Sequence, residues 1–184
     1  VQQRRLSNNI FIQICLIIIY LFLLIIKKPR TIKKFLILEK NDGVSFQRRI
    51  KNLYLNSHIL NENLDWVHFG FATLMIRREN IAKAIDAKMG VSFRGYDISI
   101  YPLKHKFCYH KCWDKIDKVH SISKDLLVTA YELGLNKNTH SSIINPAIDT
   151  KQFISRKKNR NKNRKIRFLS VARLHWKKGI EYAK

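Results

Sequence analysis

Acidic residues are scarce in this sequence. Asp and Glu number 13 against 36 Lys and Arg, a formal net charge of +23. That imbalance selects polyanionic partners: nucleic acid, an anionic membrane surface or phosphorylated substrates. Lysine, asparagine and isoleucine are frequent, so compositional drift is a competing source of part of the excess. Cysteine is scarce too. Cys15, Cys108 and Cys112 are odd in number and do not form a secreted disulfide framework, which favours a reducing compartment. The sequence also lacks a Gly-x-Ser-x-Gly elbow, a Gly-x4-Gly-Lys phosphate loop and a His-Glu-x2-His pair. It has no internal repeat. No basic n-region with a small-residue cleavage site precedes the first apolar stretch, and the first residue is Val1, so a start upstream of this segment is expected.

What is present begins with apolar content. At 46% hydrophobic residues the chain as a whole is not disordered. Residues 10–26, IFIQICLIIIYLFLLII, are apolar apart from Gln13 and Tyr20. As a helix they reach roughly 26 Å against a hydrocarbon core of about 30 Å. Three readings stay open: a single spanning helix, a helix lying in the membrane interface, and a buried core helix. Arg4 and Arg5 precede the run, while Lys27, Lys28, Arg30, Lys33 and Lys34 follow it. A spanning helix would therefore leave the rest of the chain in the cytoplasm. Residues 1–34 are accordingly set apart as an apolar and basic membrane-proximal segment.

From about residue 60, strand and helix patterns alternate. LDWVHFG (64–70) reads as a strand running into glycine. Leu74, Ile81, Ile85 and Met89 fall at helical spacing, with Gly90 as the stop. VSF (91–93) is a short strand ending in RGYD. VHSIS (119–123) is another, after which Ser123 caps a helix carrying Leu126, Ala130 and Leu133, ended by Gly134. SIINPAID (142–149) is a strand into a turn, and IRFLSV (166–171) a further strand. Alternation of this kind predicts an α/β fold with a Rossmann-like parallel sheet, with ligands at the C-terminal ends of its strands. The expected division is a domain over 35–153, a basic linker over 154–165, and the first strand and helix start of a second Rossmann-like domain over 166–184.

Candidate chemistry sits at those strand ends. In RGYD, Gly95 permits a positive φ or close approach of backbone to a ligand. Arg94 could grip phosphate, and Asp97 a sugar hydroxyl or a neighbouring backbone amide; Tyr96 lies between them. An ordinary strand-to-loop turn is the competing reading. His68 and Gly70, in HFG, are similarly placed, although a lone His after a strand is more often packed or capping. Cys108 and Cys112 with His105 and His110 invite a zinc reading. No second pair at matching spacing completes four ligands, so core packing is the better account. In SVARLHWKKGIEYAK (170–184), Arg173, Lys177 and Lys178 lie in a loop after a strand, and Gly179 opens a helix. A diphosphate suits a guanidinium fork, an ammonium and helix amides; a solvated basic loop is the alternative.

The succession DWVHFG, VSFRGYDIS with Tyr101 following, VHSISKDL with ELG, NPAID with Phe153, and FLSVARLHWKKGIEYA resembles the family 4 retaining glycosyltransferases of the GT-B class. The likeness runs over about residues 60–184. It is strongest to members that build bacterial exopolysaccharide, colanic-acid-like polymer or lipopolysaccharide. The resemblance implies two Rossmann-like domains around a cleft, the N-terminal one for acceptor and the C-terminal one for the sugar nucleotide. It implies that Arg173, Lys178 and Gly179 bind the donor diphosphate without a metal or other cofactor. Arg94, Gly95, Tyr96 and Asp97, with His68 and Gly70, would line the cleft from the acceptor side. Partners implied are a nucleotide sugar, a lipid-linked or saccharide acceptor and the inner, anionic face of the cell membrane, with no nucleic acid. His is common in the family where Arg94 stands, and Gly where Ala172 stands. The family's paired-glutamate donor motif does not occur within the chain, and no catalytic residue is assigned. On this expectation both domains are incomplete here, and the segment by itself is inactive. The alternative from charge alone is a non-enzymatic basic protein that binds membrane or nucleic acid.

Overall fold

The computed structural model describes residues 25–153 and 168–182, together with the isolated residues 12, 18, 19 and 22. The chain divides into two units, Val1–Pro146 and Ala147–Lys184. Most of the apolar run 10–26 and all of the expected linker 154–165 lie outside the described residues.

The first unit opens with α1 (Pro29–Asn41) and α2 (Phe46–Leu60). Pro29 suits the first turn of α1, where its missing N–H loses no helical bond. Ile32 and Phe35 of α1 pack with Leu53 and Leu60 of α2 and with Ile81 and Ala84 of a one-turn helix, α3 (Ile81–Ala84). α1 therefore runs across the boundary expected between residues 34 and 35, because its buried stripe begins at Ile32. No helix among the described residues is long and apolar enough to cross a membrane.

Four parallel strands follow in the order β1 (Trp66–Phe69), β2 (Lys88–Phe93), β3 (Lys118–Ser121) and β4 (His140–Ile143), each paired with the next. The expected α/β class with a parallel sheet is thus what the chain forms. Val67, Phe69, Met89, Val91, Phe93 and Val119 face a core shared with Tyr109, Trp113 and Leu127. Alternate residues point to the other face. There Trp66, His68, Lys88 and Lys118 remain exposed, although parallel sheets are usually covered on both sides.

One expected helix is overturned. Leu74, Ile81, Ile85 and Met89 do not share a helix, and Gly90 is not its stop. A 3₁₀ turn takes Ala72–Met75, α3 takes a single turn, and Met89 and Gly90 lie inside β2. α3 ends where Asp86 adopts φ +60° and the Ala87 N–H donates to Ala82 O at 2.9 Å, a left-handed stop made by Asp. Hydrogen bonds to strands on both sides then hold Lys88–Phe93 extended, and tertiary pairing overrides the 3.6-residue spacing.

The helix after β3 forms as expected. It is α5 (Lys124–Glu132), which follows a four-residue turn of helix, α4 (Tyr101–Lys104). Ser123 Oγ accepts from Leu126 N at 3.3 Å, and Gly134 ends the helix with Leu135 N donating to Ala130 O. Trp113 Nε1 donates to Leu133 O at 2.9 Å and locks that end to the core.

In the second unit the strand expected over 166–171 is absent from its described part, Phe168–Val171. Ile166 and Arg167 lie outside the described residues. No other strand is described in this unit, so no ladder satisfies an extended backbone. The expected helix start is two short 3₁₀ turns, Trp176–Lys178 and Ile180–Tyr182.

Candidate functional site

The C-terminal ends of β1 and β2 bring Gly70 and Arg94 together. Arg94 Nε donates to Gly70 O at 3.2 Å, and its guanidinium carbon lies 5.8 Å from the centre of the Phe71 ring. The four N–H of its two terminal nitrogens remain for an anion or a hydroxyl. Gly95 follows at φ +115°, a conformation open to glycine and strained for any other residue. That turn lets the chain leave β2 and enter a π-helical turn, Tyr96–Ile100. Tyr96 is half exposed and meets Tyr101 edge-on, with 6.4 Å between ring centres.

Asp97 behaves differently from its neighbours. It is buried, with Oδ2 accepting from Ala72 N and Oδ1 from Arg94 N, both at 3.0 Å. Its backbone carbonyl accepts from the Tyr109 hydroxyl at 2.7 Å. Of the two partners considered for this carboxylate, the structure supplies backbone amides. Asp97 ties the loops after β1 and β2 to each other. Burial first, then nearby groups including Asp97, raise the Tyr109 hydroxyl well above its ordinary pKa, so it stays protonated as donor.

His68 is not at the strand end. It lies on the open face of the sheet in a chain of hydrogen bonds that spacing alone did not reveal. His68 Nε2 is 2.9 Å from Ser92 Oγ, Ser92 Oγ is 2.9 Å from His120 Nδ1, and His120 Nε2 is 3.2 Å from Ile144 O. The backbone carbonyl can only accept, so a neutral His120 carries its hydrogen on Nε2 and leaves Nδ1 to accept from Ser92. Ser92 then accepts from His68 Nε2–H. Every link has one donor and one acceptor. Partial burial of the ring against the sheet, then the charges of His120 and Arg94, lower the His68 pKa below the ordinary imidazole value, which favours this neutral arrangement. A groove of about 430 Å³ lies over the same face, lined by Trp66, His68, Gly90, Lys118 and His120 among others. Ser92 itself is 2% exposed, so it relays hydrogen bonds rather than presenting a nucleophile.

Cys112 is fully buried beside Trp113, and burial raises its thiol pKa to about 12. Burial raises the Cys108 pKa as well. Both thiols therefore act as packing groups at neutral pH. Among the described residues, no three His, Cys, Asp or Glu side chains gather closely enough to hold a metal ion.

Arg173 and Lys178 are exposed in the second unit. Lys178 N donates to His175 O at 2.9 Å and Gly179 N to Trp176 O at 3.0 Å. These two amides are consumed inside the turn, so this stretch offers an anion side-chain charge. Gly179 instead serves the turn, at φ +57°.

No family model matches the chain, and no curated protein or solved structure matches it.

Proposed function

We propose that this chain is part of a retaining GT-B glycosyltransferase. It moves a sugar from a nucleoside-diphosphate donor to a lipid-linked or saccharide acceptor in surface-polysaccharide synthesis. The observation that carries the reading is the meeting of Gly70 and Arg94, 24 residues apart, at the ends of neighbouring parallel strands. Ligands of open α/β sheets sit outside such ends, and the order of sequence motifs along the chain adds the reaction class. On this reading Arg94, Gly95 and Tyr96 meet the acceptor. Asp97 holds their loop, and Arg173 and Lys178 neutralise the leaving diphosphate.

The same reading places the protein at the inner face of a membrane. Ile26, Ile37 and Phe46 are exposed, and the exposed Lys27, Arg30, Lys33 and Arg48 belong to the same stretch of chain. Apolar anchors with basic residues worth about 1 kcal/mol each near an anionic surface suit peripheral binding.

The test is label transfer from a panel of radiolabelled nucleotide sugars to membrane lipid extract. Both the chain and the product of the complete reading frame containing it are assayed. Transfer by the latter, reduced by Arg94→Ala, is the expected result. No transfer from any donor, with steeply salt-dependent retention on DNA, would instead favour a basic nucleic-acid-binding protein.

A further inference from the structure

A second cavity, of about 310 Å³, lies between α2, the turns that follow β1 and the segment after β2. That volume is at the small end of the range for small-molecule sites. Its polar wall is Asn52, Asn56, Thr73, Arg77, Arg78 and Tyr101, while Leu55 and Ile76 supply apolar surface. None of the transferase assignments above uses it.

Consecutive arginines are held here at a backbone cost. Arg77 has φ +66°, a left-handed conformation that a residue with a side chain adopts reluctantly. Two side chains stabilise it: Asn56 Nδ2 donates to Arg77 O at 3.0 Å, and Glu79 Oε1 accepts from Arg77 N at 2.9 Å. Arg78 Nη1 is anchored on Leu74 O at 3.0 Å. The strain sits where two consecutive arginines line one cavity.

The other wall is pre-oriented for hydroxyls. Buried Glu39 accepts from Asn52 Nδ2 at 2.8 Å, which fixes that carboxamide from behind. Arg77 O does the same for Asn56. Each carboxamide has a carbonyl oxygen and one N–H outside these bonds. Thr73 and Tyr101 add hydroxyls, and Leu55, Ile76 and the Tyr101 ring offer surface to the C–H face of a sugar ring.

We infer that this cavity binds the phosphomonoester of a monosaccharide, with Arg77 and Arg78 on the phosphate and Asn52 and Asn56 on sugar hydroxyls. A phosphomonoester carries close to two negative charges at neutral pH, matched by two guanidinium groups in bidentate geometry. The ligand is either a free sugar phosphate or the phosphorylated sugar headgroup of a glycolipid. The inference does not depend on the transferase reading.

The experiment is calorimetric titration of the whole chain with glucose 1-phosphate, inorganic phosphate and glucose, beside sedimentation with vesicles bearing a phosphorylated glycolipid. Saturable binding of glucose 1-phosphate, tighter than either fragment alone, is expected, as is a loss of about tenfold or more in Arg77→Gln and in Arg78→Gln. Binding of the vesicle probe in place of the soluble one, with the same loss in the variants, supports the site and identifies the headgroup as the source. Arg77→Gly is the folding control. The backbone accepts glycine at φ +66°, so this variant should unfold no more readily than the parent yet bind as weakly as Arg77→Gln. Phosphate bound as tightly as glucose 1-phosphate, unchanged binding in the arginine variants, or no saturable binding of either sugar-phosphate probe would overturn the inference.

Discussion

Gly90 and His68 are matched across β1 and β2: a Cβ at position 90 would stand 2.9 Å from His68 Nδ1. The two residues are register partners, so nothing but hydrogen at position 90 leaves the imidazole room to reach Ser92. Gly90→Ala should push the ring off the sheet and break the first link of the chain. The expected cost is about 1–3 kcal/mol, from crowding and a lost partner for a buried hydroxyl. Urea unfolding reads the stability, and the imidazole NMR signals read the ring position. Unchanged values in both would show that the close approach is not constraining.

Protonation should act on the same chain. The native state holds His68 below its ordinary pKa, so it takes up a proton less readily than the unfolded chain does. Between the unfolded value of about 6.5 and the lower native value, the unfolded state binds more protons, and stability falls as the pH falls through that window. His120 and Arg94 oppose the added charge, and Lys88 and Lys118 lie on the same face of the sheet. His68→Gln should flatten this part of the stability–pH curve. An equally steep curve in the variant would assign the dependence to another group.

Asp97 is expected to tolerate little change. Asn at this position keeps the shape but turns one acceptor into a donor facing either Ala72 N–H or Arg94 N–H. Loss of one buried bond and a donor–donor clash should cost about 1–3 kcal/mol. The midpoint of urea unfolding should drop with its slope preserved. A wild-type midpoint would mean the carboxylate is not what ties the two loops.

Arg173→Ala and Lys178→Ala test the donor assignment in the product of the complete reading frame. Each removes one charge-assisted contact to a diphosphate, worth roughly 1.5–3 kcal/mol. Nucleotide-sugar use should fall accordingly in steady-state kinetics. Wild-type kinetics in both variants would remove the assignment.

The parts of the fold legible in advance are those governed by local chemistry. Ser123 as cap and Gly134 as stop could be read because a cap needs only a side-chain oxygen three residues before an amide. The sequence pattern marked β1, β3 and β4 to within a few residues, and the last three residues of β2, 91–93. It failed over Leu74–Gly90, because the spacing of apolar residues was coincidental and the pairing of β2 was not local. It failed again at Phe168–Val171, which has the composition of a strand but no described neighbour to bond with.

The candidate site divides in the same way. Arg94, Gly95 and Asp97 were recognisable as a strand-end turn, since glycine and charge after an apolar run mark such turns whatever surrounds them. Which partner Asp97 takes depended on the loop after β1, 25 residues away. Alternation alone could have placed His68, Ser92 and His120 on alternate-facing positions of their strands. It could not show that they share a face or touch, because that depends on register: Ser92 opposite His120, and His68 opposite Gly90. Shifting a strand by one residue turns its side chains to the opposite face, so the chain of imidazole, hydroxyl and imidazole exists only once the sheet has formed. The sequence by itself determined the α/β class, the caps and the basic charge, all of which follow from residues close in the chain. Tertiary structure decided the register, the clamp at Asp97 and the cavity at Arg77 and Arg78, because each joins groups that only strand pairing and helix packing bring within hydrogen-bond reach.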